Sequence, residues 1–178
     1  MAAAAIRILG LDPGLTRMGW GMIALEGTRL CHIEHGVIAT RSSTGLGQRL
    51  MILHRELAAV VTRLSPHALA VEQAFVARDP SAALKLGHAR AVALLAGAQA
   101  NLEIAEYSPN QIKKCVVGAG HAGKEQVQFM VKRLLPACGV TQADAADALA
   151  AAITHAHLSS SRAWISLDSR AVARGGAG

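Results

Sequence analysis

Short apolar segments separated by turn residues predict three strands at the start of the chain. The first segment covers residues 6–11 and stops at Asp-Pro-Gly, residues 12–14, a sequence typical of turns. Two more segments follow at residues 19–25 and 29–40, with Gly27 near the turn between them. Strands that follow one another through short turns predict an antiparallel meander.

The rest of the chain alternates between helical spacing and two further strands. Apolar residues recur every three or four positions over residues 46–64, which predicts an amphipathic helix. Short apolar segments at residues 68–71 and 102–107 are typical of buried strands. More helices are predicted at residues 81–100, from residue 108 onward, at 124–135 and at 141–157. Together these elements predict an α/β domain with a mixed sheet flanked by helices.

The helix predicted at residues 81–100 differs from the others because it is apolar on every side near Leu94 and Leu95. A surface helix normally keeps a polar face toward water. This helix is therefore expected either to be deeply buried within the domain or to lie in an interface between subunits.

Length and composition describe one folded domain. The 178 residues are 52% hydrophobic and 17% charged, which excludes intrinsic disorder. No apolar segment approaches the ~18–20 residues of a membrane span and no signal-peptide core follows Met1, so we expect a cytoplasmic protein without a membrane partner. Three cysteines without a CxxC pair argue against a disulfide framework or a cysteine zinc site. We expect the domain to cover residues 1–158 and a flexible tail to cover 159–178.

Four carboxylates stand where the predicted sheet would bring them together. Asp12 and Glu72 each follow an apolar strand, and ligands of α/β sheets bind beyond the carboxyl ends of parallel strands. Asp144 and Asp147 are three residues apart on a predicted helix, so they share one face. Because like charges repel when they are desolvated, such a cluster needs a divalent cation, for which Mg²⁺ or Mn²⁺ suits oxygen ligands. Two such ions would support phosphodiester cleavage by an activated water.

The acids also have ordinary explanations, and the overall charge helps to weigh them. Asp12 precedes a Pro-Gly turn, and Asp144 could cap a helix, whereas Glu72 has neither explanation. Without the four acids, eight acidic residues remain against 18 basic ones. That excess suits a protein that binds a phosphate backbone.

Four long segments resemble the RuvC family of Holliday-junction resolvases. They lie in order over residues 6–158 and read RILGLDPGLTRMGWG, VEQAFVARDPSAALKLGHAR, VVGAGHAGKEQVQFMV and QADAADALAAAITHAH. The resemblance implies an RNase H-like fold, with a sheet of three antiparallel strands and then two parallel ones. It also implies a homodimeric endonuclease that makes paired symmetric nicks in four-way junction DNA during recombination and repair, in association with a RuvA–RuvB complex.

The same resemblance implies a metal site of four acids. Two Mg²⁺ ions, with Mn²⁺ as a substitute, would be held by Asp12, Glu72, Asp144 and Asp147. Asp12 would bridge the two ions and the other three acids would complete their coordination. Some relatives carry a histidine at the position of Asp144, whereas this chain has the acidic version.

DNA contacts are implied for residues around this site. Phe75 would stack on junction bases, while Lys113 and Lys124 would contact DNA near the scissile phosphate. Their basic neighbours Arg78 and Lys114 are expected to contribute. The long helix around Leu84 to Ala98 matches the dimer-forming region of the family.

Three other functions remain compatible with the sequence. Residues 12–14 followed by Gly19 resemble the first phosphate loop of actin-like kinases, although those proteins use two such domains. A non-catalytic DNA-binding module and a nuclease for RNA–DNA hybrids could share the same fold. Residues 118–124 nearly match a P-loop, but Glu125 stands where that motif needs Ser or Thr, so we expect a flexible loop that approaches phosphate. His121 in this loop is left without a role.

Overall fold

The computed structural model describes residues 5–73 and 79–175, with side chains described as far as Ser159. Five strands lie within these residues: β1 Ile6–Asp12, β2 Arg17–Glu26, β3 Arg29–Ala39, β4 Ala68–Glu72 and β5 Glu103–Tyr107. Five helices accompany them: α1 Leu46–Leu64, α2 Pro80–Gln99, α3 Pro109–Val117, α4 Lys124–Leu134 and α5 Ala143–Gly175. None of the helices in the described ranges combines the length and the hydropathy of a membrane span.

The five strands form one mixed sheet in the order β3-β2-β1-β4-β5. β1 pairs with β2, and β2 with β3, in antiparallel fashion, while β4 lies parallel to both β1 and β5. This confirms the predicted sheet of three antiparallel strands followed by two parallel ones. Because β1, β4 and β5 run in the same direction, their carboxyl ends meet at one edge of the sheet, beside the start of β2.

Two hydrophobic layers cover the two faces of the sheet. Alternate residues of β1 point to opposite faces, so Ile8 packs under α3, α4 and α5 whereas Leu9 and Leu11 pack under α1 and α2. All three side chains are fully buried. The sheet is therefore covered on both sides, and only its edges and strand ends remain open for a site.

Helix α5 lies unusually close to the sheet because two glycines leave room for it. A Cβ atom at Gly10 would lie 1.9 Å from the carbonyl oxygen of Ala148, and one at Gly19 would lie 2.0 Å from that of Asp144. Any side chain at either position would push the helix outward. The contact at Gly19 sets the first turn of α5 directly over β2.

Most predicted boundaries agree with the structure, but the end of α5 differs, and the burial of α2 settles a question that the sequence left open. α5 continues to Gly175, although the apolar pattern predicted that this helix would end at residue 157. α2 is buried along one side only, and Leu84 and Leu95 are 63% and 51% exposed, so deep burial within the chain does not explain its apolar surface. The division into a domain at 1–158 and a flexible tail at 159–178 stays a prediction.

Candidate active site

Two acids of the predicted site end adjacent strands. Asp12 is the last residue of β1 and Glu72 the last of β4, and the pairing of Leu11 with Val71 just before them keeps the two strand ends level. Asp12 still pairs with Gly19 of β2, so it belongs to the strand and not to the turn that follows. The structure thus removes the ordinary explanation of Asp12 as a turn residue.

The other two acids come from the start of α5. Asp144 lies in its first turn and Asp147 one turn further. The charges of both raise the pKa of Asp12, and the charges of Asp12 and Asp147 raise the pKa of Glu72. The structure therefore brings all four predicted acids into one electrostatically coupled group.

Two cations of the chain are bound to this group. The ammonium nitrogen of Lys124 lies 2.7 Å from Oδ2 of Asp147, and Nε of Arg17 lies 2.7 Å from Oδ2 of Asp144. Within the described residues, neither Asp12 nor Glu72 forms an ion pair. Half of the acidic group is therefore neutralised by the protein, and the other half is not.

Burial and mutual repulsion shift the protonation of the acids without ion pairs. Burial, followed by the charges of Asp147 and Asp144, raises the pKa of Asp12 to about 7. Burial, followed by the charges of Asp12 and Asp147, raises the pKa of Glu72 to about 7. Burial also raises the pKa of Asp147, against the lowering effect of Lys124. The site holds more negative charge than its own cations balance.

This excess of carboxylate charge matches what a hard divalent cation requires, since Mg²⁺ and Mn²⁺ prefer carboxylate oxygens. The side chains are nevertheless not arranged for one: across residues 5–73 and 79–159, no group of three or more His, Cys, Asp or Glu is placed to hold a metal ion. Two of the four acids instead face Arg17 and Lys124. Both cations are at least half exposed, at 50% and 60%, so they can turn away into solvent. The donor set fits a metal once these partners move.

A cleft of about 250 Å³ opens beside the acids. Its polar lining consists of Glu72, Asp147, Lys113 and Lys124, and apolar residues of α3, α4 and α5 form the rest. Lys113 and Lys124, both predicted to contact DNA, thus lie next to the acids. Lys114 is exposed on α3 and does not line the cleft. Phe75 and Arg78, the other predicted DNA contacts, fall outside the described residues.

Two further residues of the site were missed by sequence reasoning. Arg17 reads as an ordinary basic residue before a strand, and only the packing of α5 reveals its partner. Arg49 of α1 is buried, and its guanidinium donates hydrogen bonds to the hydroxyls of Thr40 and Thr16. The hydroxyl of Thr40 in turn donates to the carbonyl of Leu15. These bonds brace the turn between Asp12 and Arg17, and no sequence motif signalled them.

The glycine-rich loop at residues 118–123 follows a helix, which is not the arrangement of a P-loop. That motif follows a strand, whereas residues 115–117 form the last turn of α3. Gly118 has a φ of 88°, a backbone conformation that favours glycine, and it ends the helix. The loop then leads to Lys124, the first residue of α4. This lysine contacts Asp147, and His121 is exposed within the loop.

Comparison with known proteins matches nearly the whole described domain. A family model described as crossover junction endodeoxyribonuclease RuvC matches residues 8–155. The relative of that name from Paracoccus denitrificans is 55% identical over 152 residues, which cover 85% of this chain and 92% of the relative. The one from Parvibaculum lavamentivorans is 52% identical over 174 residues, which cover 98% of each chain.

Solved structures agree with the sequence relatives. The Thermus thermophilus RuvC structure is 34% identical with a TM-score of 0.78, and T. thermophilus RuvC in complex with a Holliday junction substrate is 35% identical with a TM-score of 0.77. Each match covers 85% of this chain and 93% of the other. These neighbours confirm the RNase H-like fold. The chain belongs to the RuvC family of crossover junction endodeoxyribonucleases.

Proposed function

We propose that this protein is an endonuclease that resolves Holliday junctions by paired symmetric nicks, in recombination and repair. The observation that carries the proposal is the acidic group of Asp12, Glu72, Asp144 and Asp147 at the ends of β1 and β4, in a chain of this family. A relative about one third identical is known in complex with a Holliday junction substrate. Nucleases of this family depend on a metal ion.

The four acids are assigned to the metal. Two Mg²⁺ ions would balance four carboxylates, and Mn²⁺, with the same preference for oxygen ligands, would substitute. When bound, these ions supply the activated water and the charge stabilisation that phosphodiester cleavage requires. The strand ends hold Asp12 and Glu72 in place, while the first two turns of α5 bring Asp144 and Asp147 to them.

The lysines of the cleft are assigned to the DNA. Lys113 and Lys124 line the cleft beside Glu72 and Asp147, so a phosphate that enters it meets both ammonium groups. An ammonium near the phosphate stabilises the negative charge that develops as the bond breaks. Lys114 extends the basic surface, and Phe75 and Arg78, which follow Glu72 closely in sequence, remain predicted contacts to the junction.

The partners follow from the need for two cuts. Paired nicks require two active sites, and a homodimer provides them in a symmetric arrangement. The apolar side of α2 that carries the exposed Leu84 and Leu95 is the surface we assign to the dimer. Cooperation with a RuvA–RuvB complex and action in the cytoplasm are part of the same proposal, and rest on the resemblance to the family.

The test is cleavage of a synthetic four-way junction whose strands carry different labels. We expect Mg²⁺-dependent nicks at symmetric positions in two opposing strands, no cleavage in EDTA, and weaker cleavage of linear duplex and of an RNA–DNA hybrid. Equal activity on the hybrid would favour the alternative nuclease, and no cleavage with Mg²⁺ or Mn²⁺ would contradict the proposal. ATP binding measured by calorimetry addresses the kinase alternative.

A further inference from the structure

Arg17 forms one of the two ion pairs of the acidic group. It is the first residue of β2, and its Nε lies 2.7 Å from Oδ2 of Asp144 on α5. The two residues are 127 positions apart in the chain. Backbone packing brings the two residues together, because Gly19, two residues after Arg17, lies directly under the carbonyl of Asp144.

The ion pair is built so that it can open. Arg17 is half exposed, and no other hydrogen bond of its guanidinium is found among the described residues. The contact uses Nε, so the two terminal nitrogens remain available for another partner. A half-exposed pair of this kind is stabilised only weakly, because solvent screens both charges.

Arg17 and a metal ion compete for the carboxylate of Asp144. Oδ2 accepts the hydrogen bond of Arg17, and a metal ion bound to the same carboxylate would repel the guanidinium at that short distance. Metal binding therefore weakens the ion pair and favours release of the guanidinium. When DNA is present, a backbone phosphate can take the place of Asp144 as the partner of Arg17, because a guanidinium binds a phosphate group through two parallel hydrogen bonds.

We propose that Arg17 is a positioning residue that occupies Asp144 in the metal-free protein and transfers to the DNA backbone when metal binds. This inference rests on the proposed function. Its consequence is coupling: junction DNA removes the competitor of the metal, so DNA raises the affinity for metal, and metal raises the affinity for DNA by the same factor.

The test compares Arg17→Ala with Arg63→Ala, a matched control. Arg63 of α1 is 51% exposed and pairs with Glu34 of β3, and neither residue lines the cleft. Mn²⁺ affinity is measured by electron paramagnetic resonance, without DNA. We expect Arg17→Ala to bind Mn²⁺ about fivefold or more tightly than the parent protein, and Arg63→Ala to bind it equally well.

Junction affinity is then measured by fluorescence anisotropy in EDTA and in Ca²⁺, with a denaturing gel to verify that the DNA is intact. We expect Ca²⁺ to strengthen junction binding by the parent protein and by Arg63→Ala, and to do so much less for Arg17→Ala. Arg17→Lys, which keeps the charge, should retain part of the coupling.

Two results would overturn the inference: Mn²⁺ binding by Arg17→Ala that is no tighter than that of the parent protein, or metal–DNA coupling that Arg17→Ala leaves intact. Failure of the proposed function has a different signature, since the parent protein would then not cut junctions whatever the metal affinity of the variant. A thermal melt of each variant verifies that it is folded.

Discussion

The charge of Asp12 raises the pKa of Glu72 across the boundary between two parallel strands. The two residues end β1 and β4, which pair in register up to Leu11 and Val71. Burial is the larger cause of the raised pKa of Glu72, and burial together with the charges of Asp147 and Asp144 raises the pKa of Asp12, so both carboxyls have a pKa of about 7 in the metal-free protein. Burial and repulsion disfavour the ionised form of these two carboxyls. A bound cation would stabilise that ionised form, so the arrangement suits a cation site.

Replacement of Asp12 by Asn is expected to abolish cleavage and to leave junction binding nearly unchanged. Asn removes one charge from the acids that we propose hold the metal, while the lysines that we propose contact the DNA stay in place. We expect the cleavage rate to fall by at least about 10³-fold, because activation of water by the metal contributes on this scale. Single-turnover cleavage and a gel-shift assay measure the two effects. Glu103→Gln, which changes an exposed acid of β5, is the control; unchanged nicking by Asp12→Asn would contradict the assignment.

Metal affinity is expected to rise with pH between about 6 and 8. Metal binds the ionised carboxylates, and the raised pKa values of Asp12 and Glu72 leave both carboxyls partly protonated at pH 7. Binding must therefore release protons, which calorimetry in buffers of different ionisation enthalpy counts. Glu72→Gln should release fewer protons than the parent protein. Affinity that does not change across this pH range would be inconsistent with the raised pKa values.

The same shifts predict how metal-free stability depends on pH. Asp12 has a pKa near 4 in an unfolded chain and about 7 in the folded one, so the folded state retains a proton that the unfolded state has lost. Its stabilising contribution is complete below pH 4 and is lost as the pH rises through 7. Asp12→Asn should therefore raise the melting temperature at pH 8 by about 2–4 °C or more, and much less at pH 4. A variant that is less stable than the parent protein at pH 8 would refute this.

Replacement of Gly19 by Ala is expected to displace the start of α5, which carries two of the four acids. The new Cβ would lie 2.0 Å from the carbonyl oxygen of Asp144, so the start of α5 has to move away from β2. We expect a loss of about 1–3 kcal/mol in the free energy of unfolding, together with weaker Mn²⁺ binding. Gly47→Ala in α1 is the control, because the new Cβ would meet no atom of another element within 4 Å, and it should be neutral or slightly stabilising. Equal Mn²⁺ affinity in both variants would show that α5 tolerates the shift.

The proposed dimer can be tested through the oligomeric state of a variant on α2. Leu95→Glu places a charge on the exposed apolar side of α2, and we expect it to convert a dimer into a monomer in sedimentation experiments. Met51→Glu, which changes an apolar residue of α1 that is at least as exposed as Leu95, should remain dimeric. A monomeric variant should nick junctions singly, without paired cuts. Dimers of unchanged affinity in Leu95→Glu would place the interface elsewhere.

Strands β1 and β4 show why much of the fold is predictable from the sequence. The apolar segment of β1 stops at Asp12 and a Pro-Gly turn, and that of β4 stops at Glu72, so the pattern located both acids at strand ends. The buried face of α1 was predictable because its apolar residues recur on one side of the helix. The end of α5 was not, since the apolar period stops near residue 157 while the backbone remains helical to Gly175.

The order of apolar and polar residues determined where the strands and helices lie and where the four acids stand on them, because secondary structure depends largely on residues that are close in the chain. Tertiary structure alone decided which cation faces which acid. Arg17 and Asp144 meet across 127 residues only because Gly10 and Gly19 let α5 settle on the sheet. It also decided the protonation of Asp12 and Glu72, since a pKa responds to burial and to charges brought close by packing, and neither is written in local sequence.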